Sequence, residues 1–373
     1  MPIQFLLSLF FLLFCVASPA QQGSSSVESV TSKSEESVSE NSTQDASSEN
    51  SDESSESEEP QKPSESVAFQ PLQQSPSWFS SELRINKSRT RNPFWFPFAS
   101  FILPGFDQFF EQQSKAGFTY AGTAFLGAQI AAGAASEIEA ESSDEDDFEG
   151  AGDFDRSDDR QKRLIFGLSL YQFMGSMSAY HSFRTAARSY HENGSDRFSF
   201  LKDTIEEDSG DLMLAPFELG YFLEPTSWAP LLLVGGLVAY DFSQPGNQRG
   251  QVTASEGLFL TNISYHAGVG EEALFRGWIF PYLYESMDSY FWANTLQAAF
   301  FAYLHVTPSY QVPVYQFAFG YYAGYLAKRN NWSLKEAAFV HTWWDVIAFT
   351  ALFLNEETRD QASLQVPLLN MTF

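Results

Sequence analysis

Long apolar runs alternate with very polar stretches along the 373 residues, and the runs predict helices throughout. The run within residues 1–20 covers about 13 positions, too few to span a bilayer comfortably. With Ser18 and Ala20 as a small-residue cleavage site, it predicts a secretory signal peptide, with an uncleaved anchor as the alternative because no Lys or Arg stands ahead of it. Residues 92–106, NPFWFPFASFILPGF, are apolar and broken by three prolines, which predicts a short or kinked membrane segment. Residues 116–135 and 164–182 predict two spans, the first rich in small residues that favour close helix contact, the second with His181 at its interfacial edge. An apolar helix is expected over 212–223 and a span over 227–242. A long helix is expected from 255 to 286, another over 290–306, and a span over 312–327 with Gly320 and Gly324 in small-xxx-small register. A last helix is expected over 334–354, with Ser333 as N-cap and Glu336 completing a capping box. The fold class expected is therefore all-α, a polytopic transmembrane helical bundle.

The polar stretches divide the chain. After the signal peptide, 1–20, comes a disordered Ser/Glu-rich tail, 21–92. An accessory membrane-hairpin region follows over 93–210, interrupted by an acidic loop at 136–159, and the main membrane domain occupies 211–373. The tail lacks the apolar residues needed to offset the entropy of ordering. Mean hydropathy, −0.22, averages these tracts with the apolar ones and hides both. Charge is equally local. Residues 21–68 carry twelve acids and two lysines, and 137–159 twelve acids and one arginine, so these tracts hold −21 of the formal −26. Such a balance excludes nucleic-acid binding, which needs basic patches. The basic groups near 84–92 and at 160–163 flank predicted membrane segments instead. Lys328, Arg329 and Lys335 border the loop between the last two spans and assign it to the cytoplasm. The single cysteine, Cys15, lies in the leader, so no disulfide is expected beyond it.

Candidate chemistry gathers in three of the predicted helices. Glu271, Glu272 and Arg276 stand in HAGVGEEALFRGWIFPY, a stretch otherwise fit for a bilayer. Ionisable groups at that depth persist where they line a polar cavity. Glu272 and Arg276 are four apart and can pair, whereas Glu271 points about 100° away. Phe301 and His305 have the same i, i+4 spacing, as do His341 and Asp345. Three acids, a base and two imidazoles in one membrane domain can activate water and stabilise an oxyanion.

The patterns E-E-x-x-x-R at 271–276, F-x-x-x-H at 301–305 and H-x-x-x-D at 341–345 resemble the three signature motifs of the CPBP (Abi) family. These are intramembrane proteases related to the type II CAAX prenyl endopeptidases. The resemblance covers about residues 210–355. It implies an intramembrane endopeptidase of glutamic type, with no metal or other cofactor. Glu271 would deprotonate water held with the help of His305. Glu272 would pair with Arg276, and His341, with Asp345 behind it, would donate to the oxyanion. The family often has Asn where Asp345 stands, and an ionised Asp cannot donate a hydrogen bond. The partners implied are a peptide or membrane-protein substrate and the lipid bilayer. The location implied is the bacterial cytoplasmic membrane, crossed many times. Residues 100–122 also resemble a bacterial membrane-hairpin module with a Pro-Gly-x-Gly-Gln turn, Asp107 replacing the second Gly. Two other readings stay open. Glu271, His305, His341 and Asp345 are zinc ligands by type, although no H-E-x-x-H helix occurs. The domain could also be a non-catalytic membrane scaffold or immunity factor.

Overall fold

Eleven α-helices account for most of residues 90–142, 158–244, 250–306 and 313–355, the parts that the computed structural model describes; no strand element occurs among them. The signal peptide, most of the tail, the centre of the acidic loop (143–157) and the C-terminal residues 356–373 lie outside the described residues. Two short helices come first, α1 (Trp95–Ile102) and α2 (Phe106–Phe110), then two long ones, α3 (Ser114–Ser142) and α4 (Asp159–Glu192). Next are α5 (Ser209–Leu214), α6 (Pro225–Phe242) and α7 (Ala254–Leu274), the last continued through a π turn (Phe275–Ile279) into α8 (Phe280–Met287). The chain closes with α9 (Tyr290–Tyr303), α10 (Val314–Arg329) and α11 (Lys335–Leu354). Of these, only α11 among the described residues is long and apolar enough to cross a membrane by length and composition.

Helix α4 is the central post: α3 runs along it, and α1 and α7 pack on its other sides. One core cluster joins Tyr120 of α3, Phe173 and Tyr180 of α4, Val269 and Ala273 of α7, and Ala338 of α11. Helices of the 93–210 region therefore share a core with those of 211–373. Against this, α11 packs on α7 and α6, while α9 packs on α10.

Several boundaries differ from expectation, each for a local reason. The two predicted spans at 116–135 and 164–182 are parts of longer helices. Glu137 pairs with Arg163 between them, and Asp158 caps α4 by accepting from the Arg160 N–H, so basic residues 160–163 are helical. His181 is inside α4, not at an edge, and its Nδ1 lies 3.2 Å from the Tyr120 hydroxyl. The helix expected over 212–223 stops at Leu214 and continues as two 3₁₀ turns, because Pro216 cannot supply an N–H to the helical ladder. The capping box at Ser333 and Glu336 does not form. Ser333 Oγ instead donates to Glu207 at 2.6 Å, and Glu207 also accepts the Leu334 N–H at 3.3 Å, so a carboxylate from another segment does the capping. Glu336 is buried and accepts from Ser227 Oγ at 3.0 Å and Arg329 Nη1 at 2.9 Å.

The Pro-Gly turn is also built differently from a loose hairpin. Asp107 is buried and paired with Arg91, which reaches Glu111 at 2.5 Å as well, and Ser182 Oγ donates to Asp107 at 2.7 Å. Arg91, expected in the disordered tail, is thus buried; a carboxylate removed from water needs such a partner. Gly105 has φ +90°, and a Cβ there would overlap the backbone of Gly117. Gly105→Ala is expected to cost at least about 1–2 kcal/mol from the left-handed conformation alone. Thermal unfolding in detergent reads this directly: an unchanged melting temperature would contradict the turn geometry.

Candidate active site

The acidic motif sits at the end of α7 and in the π turn. A capping box of Thr253 and Glu256 starts α7. Pro281 explains the π turn: its ring crowds the carbonyl four residues back, and the chain widens just ahead of it, with the Phe280 N–H bonding to Phe275 O. Gly268 lets α11 close in, since a Cβ would lie 2.6 Å from the Thr342 Cα. That contact is one turn before Glu272 and one residue after His341, and it brings the two together.

Glu272 is the hub. Its Oε1 accepts from Arg276 Nη1 at 2.9 Å and from His341 Nδ1 at 2.8 Å, with all three side chains buried. Arg276 has a second anchor, donating through Nη2 to the Gly320 carbonyl at 3.0 Å, and lies 4.6 Å over the Phe301 ring. The Glu272–Arg276 spacing read from the sequence is therefore an ion pair in space.

His305 follows the end of α9 rather than lying within it. Its Nδ1 is 2.7 Å from the Phe301 carbonyl. A carbonyl only accepts, so Nδ1 carries a proton and Nε2 faces the site. Glu271 Oε2 is 3.9 Å from that Nε2 and 3.8 Å from Nε2 of His341. This oxygen is buried and has no hydrogen-bond partner.

Asp345 departs from expectation. It is not behind His341, because Glu272 occupies that nitrogen. Asp345 Oδ2 lies 3.7 Å from His341 Nε2, on the side that Glu271 faces. The i, i+4 spacing of His341 and Asp345 permits a contact but does not say at which ring nitrogen; the packing of α11 against α7 decides. Among the described residues no group of three or more His, Cys, Asp or Glu side chains is arranged to hold a metal ion.

Over residues 254–347 the chain matches the family model described as type II CAAX prenyl endopeptidase Rce1-like. The match supports the CPBP (CAAX protease) family for this part of the chain. The family is one of membrane proteases, and the matched stretch contains all six motif residues, Glu271, Glu272, Arg276, His305, His341 and Asp345. No curated protein and no solved structure matches the chain. Two partners in this candidate site escaped the sequence reading. The Gly320 carbonyl holds Arg276, and Phe319 packs on His341 with ring centroids 4.6 Å apart. Gly320 was legible only as a close-packing residue, because a backbone acceptor has no signature of its own.

Proposed function

We propose that the chain is an intramembrane endopeptidase in which Glu271 activates water for attack on a peptide bond. One observation carries the reading: the unpartnered, buried Oε2 of Glu271 faces two imidazole nitrogens at 3.9 and 3.8 Å. Those separations exceed a direct hydrogen bond and suit one water shared between the groups. Glu271 takes the water proton while the oxygen bonds to the scissile carbonyl carbon. His341, its Nδ1–H committed to Glu272, donates from a protonated Nε2 to the resulting oxyanion. The C–N bond then breaks and the proton held by Glu271 passes to the leaving amine, so one water is consumed and an acid and an amine are released.

The same proposal makes the fold a multi-pass membrane bundle. Its support is the outward placing of large apolar side chains. Phe118 and Phe125 on α3, Leu232, Leu233 and Leu237 on α6, and Leu258 on α7 are exposed, whereas Glu271, Glu272, Arg276 and His341 of the motifs are buried. The loop after α10 is then cytoplasmic by its Lys328, Arg329 and Lys335. The substrate class is a peptide or membrane-protein segment able to enter the bilayer.

The test compares membrane peptidomes of cells carrying the parent chain and Glu271→Gln. New termini that are present only with the parent are expected; identical peptidomes with equal protein levels would contradict the reading. A second variant addresses Asp345. Asn at this position keeps the side chain's shape and offers an amide donor to the same side of His341. Asp345→Asn is therefore expected to retain activity to within about tenfold, with one fewer titrating group in the pH–rate profile. The profiles are measured with and without chelator. A chelator-sensitive parent and an inactive Asn variant would favour a metal mechanism instead.

A further inference from the structure

The structure assigns a positioning role to Gln297 on α9: it fixes the Gly320 carbonyl that holds Arg276, and through Arg276 and Glu272 it orients His341. None of the three motifs contains this residue. Gln297 is fully buried and donates through Nε2 to the Gly320 carbonyl at 2.8 Å and to Asn294 Oδ1 at 2.7 Å. The Gly320 oxygen thus receives two side-chain donors, Gln297 from α9 and Arg276 from the π turn. From Arg276 the contacts run without a gap to Glu272 at 2.9 Å and on to His341 Nδ1 at 2.8 Å. Asn294 is anchored in turn, donating to the Tyr321 carbonyl at 3.0 Å.

Two further observations separate this from ordinary helix packing. Gln297 Oε1 is buried without a partner, so the amide is retained at a cost that a Leu or Met in the same space would avoid. Its orientation is also fixed. Turning the amide over would set its oxygen against both the Gly320 and the Asn294 oxygens, leaving no donor between them. Close approach is possible because α10 presents glycine at both contacts. A Cβ on Gly320 would lie 3.2 Å from the Ala298 Cα, and one on Gly324 would lie 2.9 Å from Gln297 Nε2. The small-residue register of α10 therefore brings a backbone acceptor to the arginine as well as bringing two helices together.

The role rests on His341 and Glu272 belonging to the proposed site, but the readout chosen here needs no substrate. The full chain, purified in detergent with ¹⁵N-labelled histidine, is compared with Gln297→Met, which keeps the length of the side chain and removes its donors. The His341 ring-nitrogen signals are expected to move while those of His266, bonded to Ser169 on a different side of α7, stay in place. Melting should follow the parent. Gln297→Glu, which sets a carboxylate against the Gly320 carbonyl, should move the His341 signals at least as far. Unchanged His341 signals in folded variants would overturn the assignment, as would loss of the fold in both, which would make Gln297 structural. Where turnover of a peptide is measurable, kcat should fall about 10- to 100-fold in the Met variant with KM retained. A folded Met variant with shifted His341 signals in a chain that cleaves nothing would instead count against the proposed activity and leave the positioning intact.

Discussion

Glu271→Gln is expected to lower peptide hydrolysis by about 10²- to 10⁴-fold, the usual contribution of a positioned general base, while the protein folds and inserts as before. The reason lies in what Glu271 touches. Its Oε2 makes no hydrogen bond, and the Nε2 atoms of His305 and His341 lie 3.9 and 3.8 Å from it. An amide of the same shape therefore removes the proton acceptor without breaking a direct hydrogen bond of that oxygen. The measurement is initial rate on a cleaved peptide identified from the peptidome, paired with a melting curve of the same preparation. Full activity in the Gln form would remove Glu271 from the chemistry, whatever the family match implies.

Arg276→Ala should act the other way, on stability first. Arg276 and Glu272 are both fully buried, and the guanidinium also satisfies the Gly320 carbonyl. Taking the arginine away leaves Glu272 with only His341 Nδ1 opposite it, and breaking a buried pair from one side costs about 3–5 kcal/mol. Loss of folded protein from detergent extracts, or a large drop in melting temperature, is the expected result. Equal loss of folded protein in Glu271→Gln and Arg276→Ala would contradict the division between a chemical acid and a structural pair.

Most helices were legible because their signals are short-range. Apolar runs, the prolines around α1 and the glycines of α7 and α10 act within a few residues of themselves, so periodicity and composition report them. Length was the weaker element. Helices α3 and α4 extend beyond their apolar stretches because they pack on each other, and the Glu137–Arg163 pair between them is invisible to either segment alone. Capping failed at α11 for the same reason. Glu207 lies far away in the chain, yet it replaces the cap that Ser333 and Glu336 would form locally.

For the site, the sequence by itself determined the Glu272–Arg276 pair and the separate direction of Glu271. Both follow from 3.6 residues per turn, and the pair forms although Arg276 stands in the first part of the π turn. It also determined which residue types could take part, and the family match over residues 254–347 contains them. Only the tertiary structure decided which acid backs His341. The spacing of His341 and Asp345 permitted a pair, but a contact within one helix competes with any group a neighbouring helix presents. Here α7 delivers Glu272 to Nδ1 at 2.8 Å, and Asp345 is left 3.7 Å from Nε2, facing the same side as Glu271. That outcome depends on how closely α7 and α11 approach at Gly268 and Thr342, a distance set by side chains from two segments more than seventy positions apart, which neither segment encodes alone.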